Sequence, residues 1–172
     1  MKAAGSVKAA KWRPTTATDL EAIQTIANVV HPDLSERREI FAEKLRLFSE
    51  GCFVFVEDGV ILGYAFVHPW LLNNIPKLNE FLLRIPSKPD CLLIHDVAML
   101  QQARGRGAAR ALLERIAKLA RELEIENIVL VSVYNSHLHW AHLGFDVVGN
   151  ELVADGLKSY GENARYMVRR LR

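Results

Sequence analysis

Hydrophobic positions along the chain follow two periods in turn. Leu20, Ile23, Ile26, Ala27 and Val30 recur at helical spacing, and Phe41, Leu45 and Phe48 do so again. Thr18-Asp19-Leu20-Glu21 opens the first stripe and matches a capping box, in which a hydroxyl and a carboxylate satisfy amides left open at a helix start. His31-Pro32 ends that helix, because proline disfavours helical backbone in the residue before it. Ser35 is the expected cap of the second helix and Gly51 its stop. KWRPTT reads as an opening strand. CFVFVE and VILGYAFVH are β-rich runs joined by Asp58-Gly59, a pair suited to a two-residue hairpin turn.

Residues 69–89 interrupt this order. Four of the six prolines fall there: Pro69, Pro76, Pro86 and Pro89. Leu78, Phe81, Leu82, Leu83 and Ile85 make the stretch too apolar for a flexible linker, so a packed excursion with a short helix is expected. CLLIHDVAML then reads as a strand and QQARGRGA as a basic turn. AARALLERIAKLARELEI is a long amphipathic helix, with Ala109, Leu112, Leu113, Ile116, Ala120 and Leu123 inward and Glu114–Lys118 paired outside. NIVLVSV follows as a buried strand. A strand, helix and strand in this order take parallel pairing with a right-handed crossover. FDVVG and ARYMVRRL are expected closing strands. The fold class is α/β with a mixed sheet, as one domain over 11–172 behind a disordered tail at 1–10.

Composition narrows the function. With 50% hydrophobic and 24% charged residues in 172, extensive disorder is excluded. A net charge of +2 argues against a dedicated nucleic-acid binder. No apolar run approaches the ~18 residues of a membrane span. The start MKAAGSVKAAK lacks the apolar region of a secretory signal, so a cytoplasmic location is the default. Cys52 and Cys91 sit in apolar runs and read as buried free thiols, with one disulfide left open. No metal is expected: CxxC is absent, and His137, His139 and His142 read as a solvated turn.

Arg104-Gly105-Arg106-Gly107-Ala108-Ala109 lies where a strand hands over to a helix. The first helical amides have no internal partner, and the helix dipole is positive there. Such ends bind anions, phosphates above all, and small residues let the ligand approach closely. A solvated basic loop is the other reading of the turn. GxxxxGK[ST] and GxGxxG are both absent.

Arg104-x-x-Gly107-x-Ala109 resembles the (Q/R)-x-x-G-x-(G/A) motif of the GNAT family of N-acetyltransferases. RPTTATDLEAI, the hairpin, the motif helix, the next strand and Leu143-Gly144-Phe145 follow the family's order, so the resemblance covers roughly residues 11–171. It implies a splayed mixed sheet with helices on both faces, and acetyl-CoA as co-substrate. The pyrophosphate would rest on the amides from Gly105 through Arg106, Gly107, Ala108 and Ala109 to Arg110. The pantetheine arm would pair with Val97, Ala98 and Met99 like an added strand. An amine would attack the acetyl carbon directly, with no covalent enzyme intermediate.

The amine must be neutral to attack, so a base or a water chain assists. His95 stands on the central strand at an offset where arylalkylamine N-acetyltransferases look similar, and imidazole titrates near neutral pH. A histidine bonded within the sheet is the competing reading. Asp96 points to the opposite face if the strand is regular, and a bulge typical of the family changes that parity. It stands as base, orienter of a histidine or structural anchor. The glutamate of histone-type members falls on Cys91, which argues against their mechanism. The family's tyrosine acid falls on Trp140, whose indole is no useful donor and is expected to pack on the pantetheine. Tyr134 and Tyr160 are alternative donors, and Asn135 lies near a cofactor-contacting asparagine of the family.

The leading expectation is an acetyl-CoA-dependent N-acetyltransferase acting on a primary amine of a small molecule or peptide, with a homodimer left open. A catalytically weak acyl-CoA-binding module and a basic nucleic-acid-binding domain are the rivals. The apolar residues of 69–89 favour an apolar or aromatic acceptor over a sugar.

Overall fold

The computed structural model describes residues 9–172, so the tail expected at 1–10 lies almost wholly outside the described residues. Among the described residues, seven strands form one sheet in the order β1-β2-β3-β4-β5-β7-β6. They are β1 (Lys11–Pro14), β2 (Cys52–Glu57), β3 (Val60–Trp70), β4 (Cys91–Met99), β5 (Asn127–Ser132), β6 (Asp146–Val147) and β7 (Arg165–Arg170). β4 and β5 run parallel, and the other neighbours are antiparallel. The helices are α1 (Leu20–Val30), α2 (Arg38–Leu47), α3 (Ala108–Glu122), α4 (His137–His142) and α5 (Ala154–Leu157). None among the described residues is long and apolar enough to cross a membrane.

Side chains alternate between the two faces of each strand, and each face buries its own set. Leu92 and Ile94 of β4, Ile128 and Leu130 of β5 and Met167 of β7 pack with Leu112, Leu113 and Ile116 of α3 and with Trp140 of α4. On the opposite face, Tyr64, Phe66 and Ala98 pack under Ile23, Ala27 and Phe41 of α1 and α2. Leu93, Val129 and Tyr166 continue that face beneath Leu157 and Tyr160. The β2–β3 hairpin turns on Asp58 (φ 48°) and Gly59 (φ 81°), the paired left-handed residues that a two-residue turn of this hand needs.

Several local expectations are corrected. The capping box forms between Thr16 and Asp19, not at Thr18, because a 3-10 turn over Ala17–Asp19 precedes α1. The Thr16 amide donates to Asp19 Oδ2 (2.8 Å), and Arg13 grips the same carboxylate through two nitrogens. Ser35 donates to Asn28 Oδ1 (2.7 Å), and α2 begins instead after Arg37. Gly51 is small because a Cβ there would overlap the Val67 carbonyl of β3, not because the chain turns left-handed. In α3 the inward stripe shifts to Ala108 and Ala117, Leu123 is exposed, and the observed outer pair is Lys118–Glu122 (3.8 Å). Cys52 and Cys91 are free and buried.

Residues 71–90 contain no helix. Apart from the Asn74 amide, which donates to Leu71 O (3.2 Å), and the Leu72 amide, which donates to Asp90 Oδ1 (2.7 Å), the hydrogen bonds that pin this segment run outward to neighbouring elements. The Leu82 and Leu83 amides donate to the two oxygens of buried Glu43 (2.6 and 3.0 Å), and the Asn79 amide donates to Glu36 Oε2 (3.0 Å). Pro76 O accepts from the Tyr160 hydroxyl (2.7 Å), and the Asn73 amide donates to Tyr166 (3.1 Å). The segment is a strap pinned across α2 and the chain before β7. Two of its expected apolar residues, Phe81 and Leu83, face solvent.

Candidate active site

β4 and β5 pair only from Leu92↔Ile128 to Ile94↔Leu130, and β4 then continues alone on that side to Met99. A gap therefore opens between them. The Leu100 amide donates to Leu62 O of β3 (2.8 Å), which sets the antiparallel phase. Position 98 bonds toward β3, whereas Val97 and Met99 turn their main-chain groups toward the gap. Val97 O there accepts from His31 Nε2 (3.1 Å), and Met99 O accepts from Arg104 Nε (3.1 Å).

The register on β3 slips between Phe66↔Asp96 and Val67↔Ile94, so His95 is the extra residue of a bulge. Ile94 and Val97 consequently face α3, while His95 and Asp96 both turn toward α1 and α2. The opposite-face placement expected for a regular strand does not hold, and two titratable side chains share one side.

At the rim of the gap, Gly105 (φ 74°) and Gly107 (φ 76°) adopt left-handed backbone, and a Cβ on either would meet nothing within 4 Å. Gly107 precedes α3, whose first internal bond runs from the Ala111 amide to Gly107 O (3.0 Å). The amides of Ala108, Ala109 and Arg110 are thus left without helical acceptors. Ala108 is buried and anchors the turn, because its carbonyl accepts from Trp12 Nε1 (2.8 Å). Arg106 is held by both oxygens of Glu57 (2.6 and 3.2 Å), leaving Arg110 as the exposed cation of the first turn. An open cradle of backbone donors with nearby positive charge fits a phosphate group.

Within the gap lies an acid–base cluster. Asp96 Oδ2 accepts from the Tyr64 hydroxyl (2.9 Å), and Oδ1 is 3.3 Å from His31 Nε2. The His31 ring stacks on Tyr134 with centroids 5.8 Å apart and planes 7° from parallel. Burial alone would lower the His31 pKa; the bond and charge of Asp96, together with Val97 O, outweigh it and hold the ring above its ordinary value. Burial raises Tyr64 well above the usual phenol range, and Asp96 adds to it. Tyr134 is also raised, chiefly by burial, and its backbone (φ 51°), like that of Asn135 (φ 59°), is left-handed.

Behind this cluster lies a buried polar group in which His95 Nε2 has no hydrogen-bond partner. His68 Nδ1 faces Pro69 O (3.1 Å), a pure acceptor, so Nδ1 carries the proton. His68 Nε2 therefore accepts from His95 Nδ1 (2.9 Å), and His95 Nε2 lies 3.5 Å from Glu36 Oε1. Lys44 Nζ donates to the same Glu36 oxygen (2.9 Å). The side chains of His95 and Glu36 are 0% exposed, against 13% and 10% for His31 and Asp96. Burial pushes His95 down, Lys44 adds to the effect, and burial likewise lowers His68 well below its ordinary value. Burial would raise Glu36, yet His95 and Lys44 hold it well below the carboxylate range.

The structure thus brings Asp96, Val97 and Met99 to the gap with the 104–110 turn at its rim, and sets the His95 ring behind them. Tyr160 is buried with its hydroxyl committed to Pro76 O. Trp140 is packed in the core edge-on to Phe145, 5.6 Å away, and Asn135 is exposed. His31, Glu36 and Lys44 were not singled out by sequence. The one available signal was a histidine placed where α1 must stop, directly before Pro32.

A mixed sheet that opens beside its parallel pair, with glycines and open helix amides at the mouth, is an acetyltransferase architecture. The chain belongs to the acetyltransferase (GNAT) family, which matches residues 17–145. Comparison with curated proteins gave no match. Among solved structures, N-acetylglutamate synthase from Neisseria gonorrhoeae, complexed with coenzyme A and N-acetyl-glutamate, is 22% identical with a TM-score of 0.71. The match covers 95% of this chain and 35% of the synthase, so this chain spans about a third of that protein's length. The GNAT-like decarboxylase GphF in complex with isobutyryl-CoA is 17% identical (TM-score 0.74; 94% of this chain, 100% of that one). Ard1 from Thermoplasma volcanium is 18% identical (TM-score 0.70; 95% and 99%). At these identities the likeness is one of fold.

Proposed function

We propose that this acetyltransferase moves an acetyl group from acetyl-CoA directly to a primary amine of a small molecule or peptide. The observation that carries the reading is the gap between β4 and β5, with open α3 amides at its rim and Asp96 inside it. Amides from Gly105 to Arg110 hold the pyrophosphate, and Val97 and Met99 offer main-chain groups to the pantetheine arm. Arg104 fixes the turn through Met99 O. Trp140 packs beneath, and Asn135 stands at the mouth beside Tyr134.

Asp96 supplies negative charge where an amine must be received. His95, at the bulge, positions Asp96 by holding the local register through His68. Tyr134, half-exposed, stacks on the His31 ring and walls the space where the thiolate departs. Tyr160 anchors the strap through Pro76 O, and the Asn79 amide ties it to buried Glu36. The strap's leucines favour an apolar or aromatic acceptor.

The alternative of a binding module without turnover rests on Trp140, which stands where the family's tyrosine acid is expected. Thiol release from acetyl-CoA in the presence of an amine panel separates the two. Turnover supports transfer, whereas CoA binding with no thiol release supports the module.

A further inference from the structure

We propose that His31, oriented by Asp96, is the general base that takes the proton from the attacking amine, and that the amine meets its Nδ1 atom. The proposal rests on the acetyl-transfer reading above.

His31 Nε2 is 3.1 Å from Val97 O and 3.3 Å from Asp96 Oδ1. A peptide carbonyl and a carboxylate only accept, so Nε2 must carry a hydrogen. In the neutral ring the lone pair then sits on Nδ1. That atom is buried and has no protein partner. Unsatisfied buried polar atoms are uncommon; His95 Nε2 and His137 Nδ1 are others among the described residues, and His31 Nδ1 is set apart because its ring bonds Val97 O at the gap. Here the missing partner is the substrate's N–H, met directly or through one water.

Asp96 plays the orienting part. One oxygen faces the His31 N–H, and the other is fixed by the Tyr64 hydroxyl at 2.9 Å. A carboxylate so placed holds the ring in one tautomer and stabilises the imidazolium that forms. The groups facing His31 are Asp96 from β4, Tyr64 through Asp96 from β3, Arg104 from the turn, and Tyr134 after β5 with Asp33 beside it. Burial opposes the imidazolium most, and among these groups only Arg104 adds to that opposition. The ring also belongs to the reacting space, since Val97 O lies on the wall of the gap.

The step balances without another reactant. The amine nitrogen forms a bond to the acetyl carbon as its proton passes to Nδ1. The carbon–sulfur bond breaks, its electron pair leaves on the CoA sulfur, and the imidazolium returns the proton to that thiolate.

The test joins ring spectroscopy with kinetics. Nitrogen-15 correlation spectra of the histidine rings should show neutral His31 as the Nε2–H tautomer, titrating above 6.5, with Asp96→Asn lowering that value. A neutral Nδ1–H ring would overturn the proposal. Turnover of acetyl-CoA is then followed with phenethylamine, spermidine and a peptide bearing a free amino terminus. With whichever amine reacts, kcat/KM should rise with pH through the His31 titration. His31→Gln should lower kcat by about 10²-fold, abolish that limb, and leave KM for acetyl-CoA within about threefold. Asp96→Asn should keep the limb but move it to lower pH. A folded His31→Gln protein with unchanged kcat and pH profile would remove His31 while leaving the acetyl-transfer reading intact. Failure of the wild-type protein to acetylate any of the three amines would overturn both.

Discussion

Replacing Gly107 by valine separates the cost of strain from the loss of a binding site. Gly107 sits at φ 76° and ψ 9°, and a Cβ there would meet nothing within 4 Å. The protein therefore has room for the side chain, and the fold loses only backbone energy. Left-handed backbone costs an L-residue about 1–2 kcal/mol, and a β-branched one at least that. For a chain of this size each kcal/mol lowers Tm by about 2–4 °C, so a fall of roughly 2–8 °C is expected. Against a typical stability of about 5–15 kcal/mol the variant stays folded. The same open space is where a pyrophosphate must lie to reach the Ala108, Ala109 and Arg110 amides. CoA affinity should fall at least tenfold, about 1.4 kcal/mol, by titration calorimetry. Gly161→Val is the control: its φ of 93° is at least as strained, its Cβ also meets nothing, and it lies in the chain before β7. It should lose stability and keep CoA affinity. A folded Gly107→Val protein with unchanged Kd for CoA would refute the assignment of the turn.

Glu43→Ala should orphan the Leu82 and Leu83 amides at a cost of about 1–3 kcal/mol each, and should expose residues 71–90 to limited proteolysis at a rate measurably above wild type. Trp140→Ala removes a buried ring from the α3 face and should cost about 3–5 kcal/mol by denaturant titration, with Trp140→Phe losing much less. His68 is depressed by burial and by His95, so the folded state resists protonation that the unfolded chain accepts below about pH 6.5. Its contribution is present above that pH and lost on acidification. The Tm gap between wild type and His68→Leu should therefore narrow as pH falls from 7 to 5, and a widening gap would contradict the burial argument.

The strand–turn–helix–strand unit was legible because its signals are local. The apolar run of β4, the glycines of the turn and the stripe of α3 each constrain only their neighbours. The gap was reachable only through family resemblance, since strand pairing that stops at Ile94 leaves no mark in composition. The bulge at His95 was likewise reachable only through the family resemblance. A one-residue slip against β3 reverses which face Asp96 joins, and alternation in the sequence does not record it. His31 was read only as the end of α1, because the partners that define it, Val97 O and Asp96, lie far along the chain. The strap misled in the opposite direction. Its leucines suggested a helix, whereas its amides are satisfied by Glu36 and Glu43, carboxylates on and just before α2.

The central claim is tested most directly by mixing the protein with acetyl-CoA and a panel of primary amines, then measuring free thiol and acetylated amine in the same sample. The account predicts thiol release that depends on the amine, matched one for one by acetylated product, and strongly reduced in Gly107→Val. Tight CoA binding by calorimetry with no amine-dependent thiol release across the panel would contradict it.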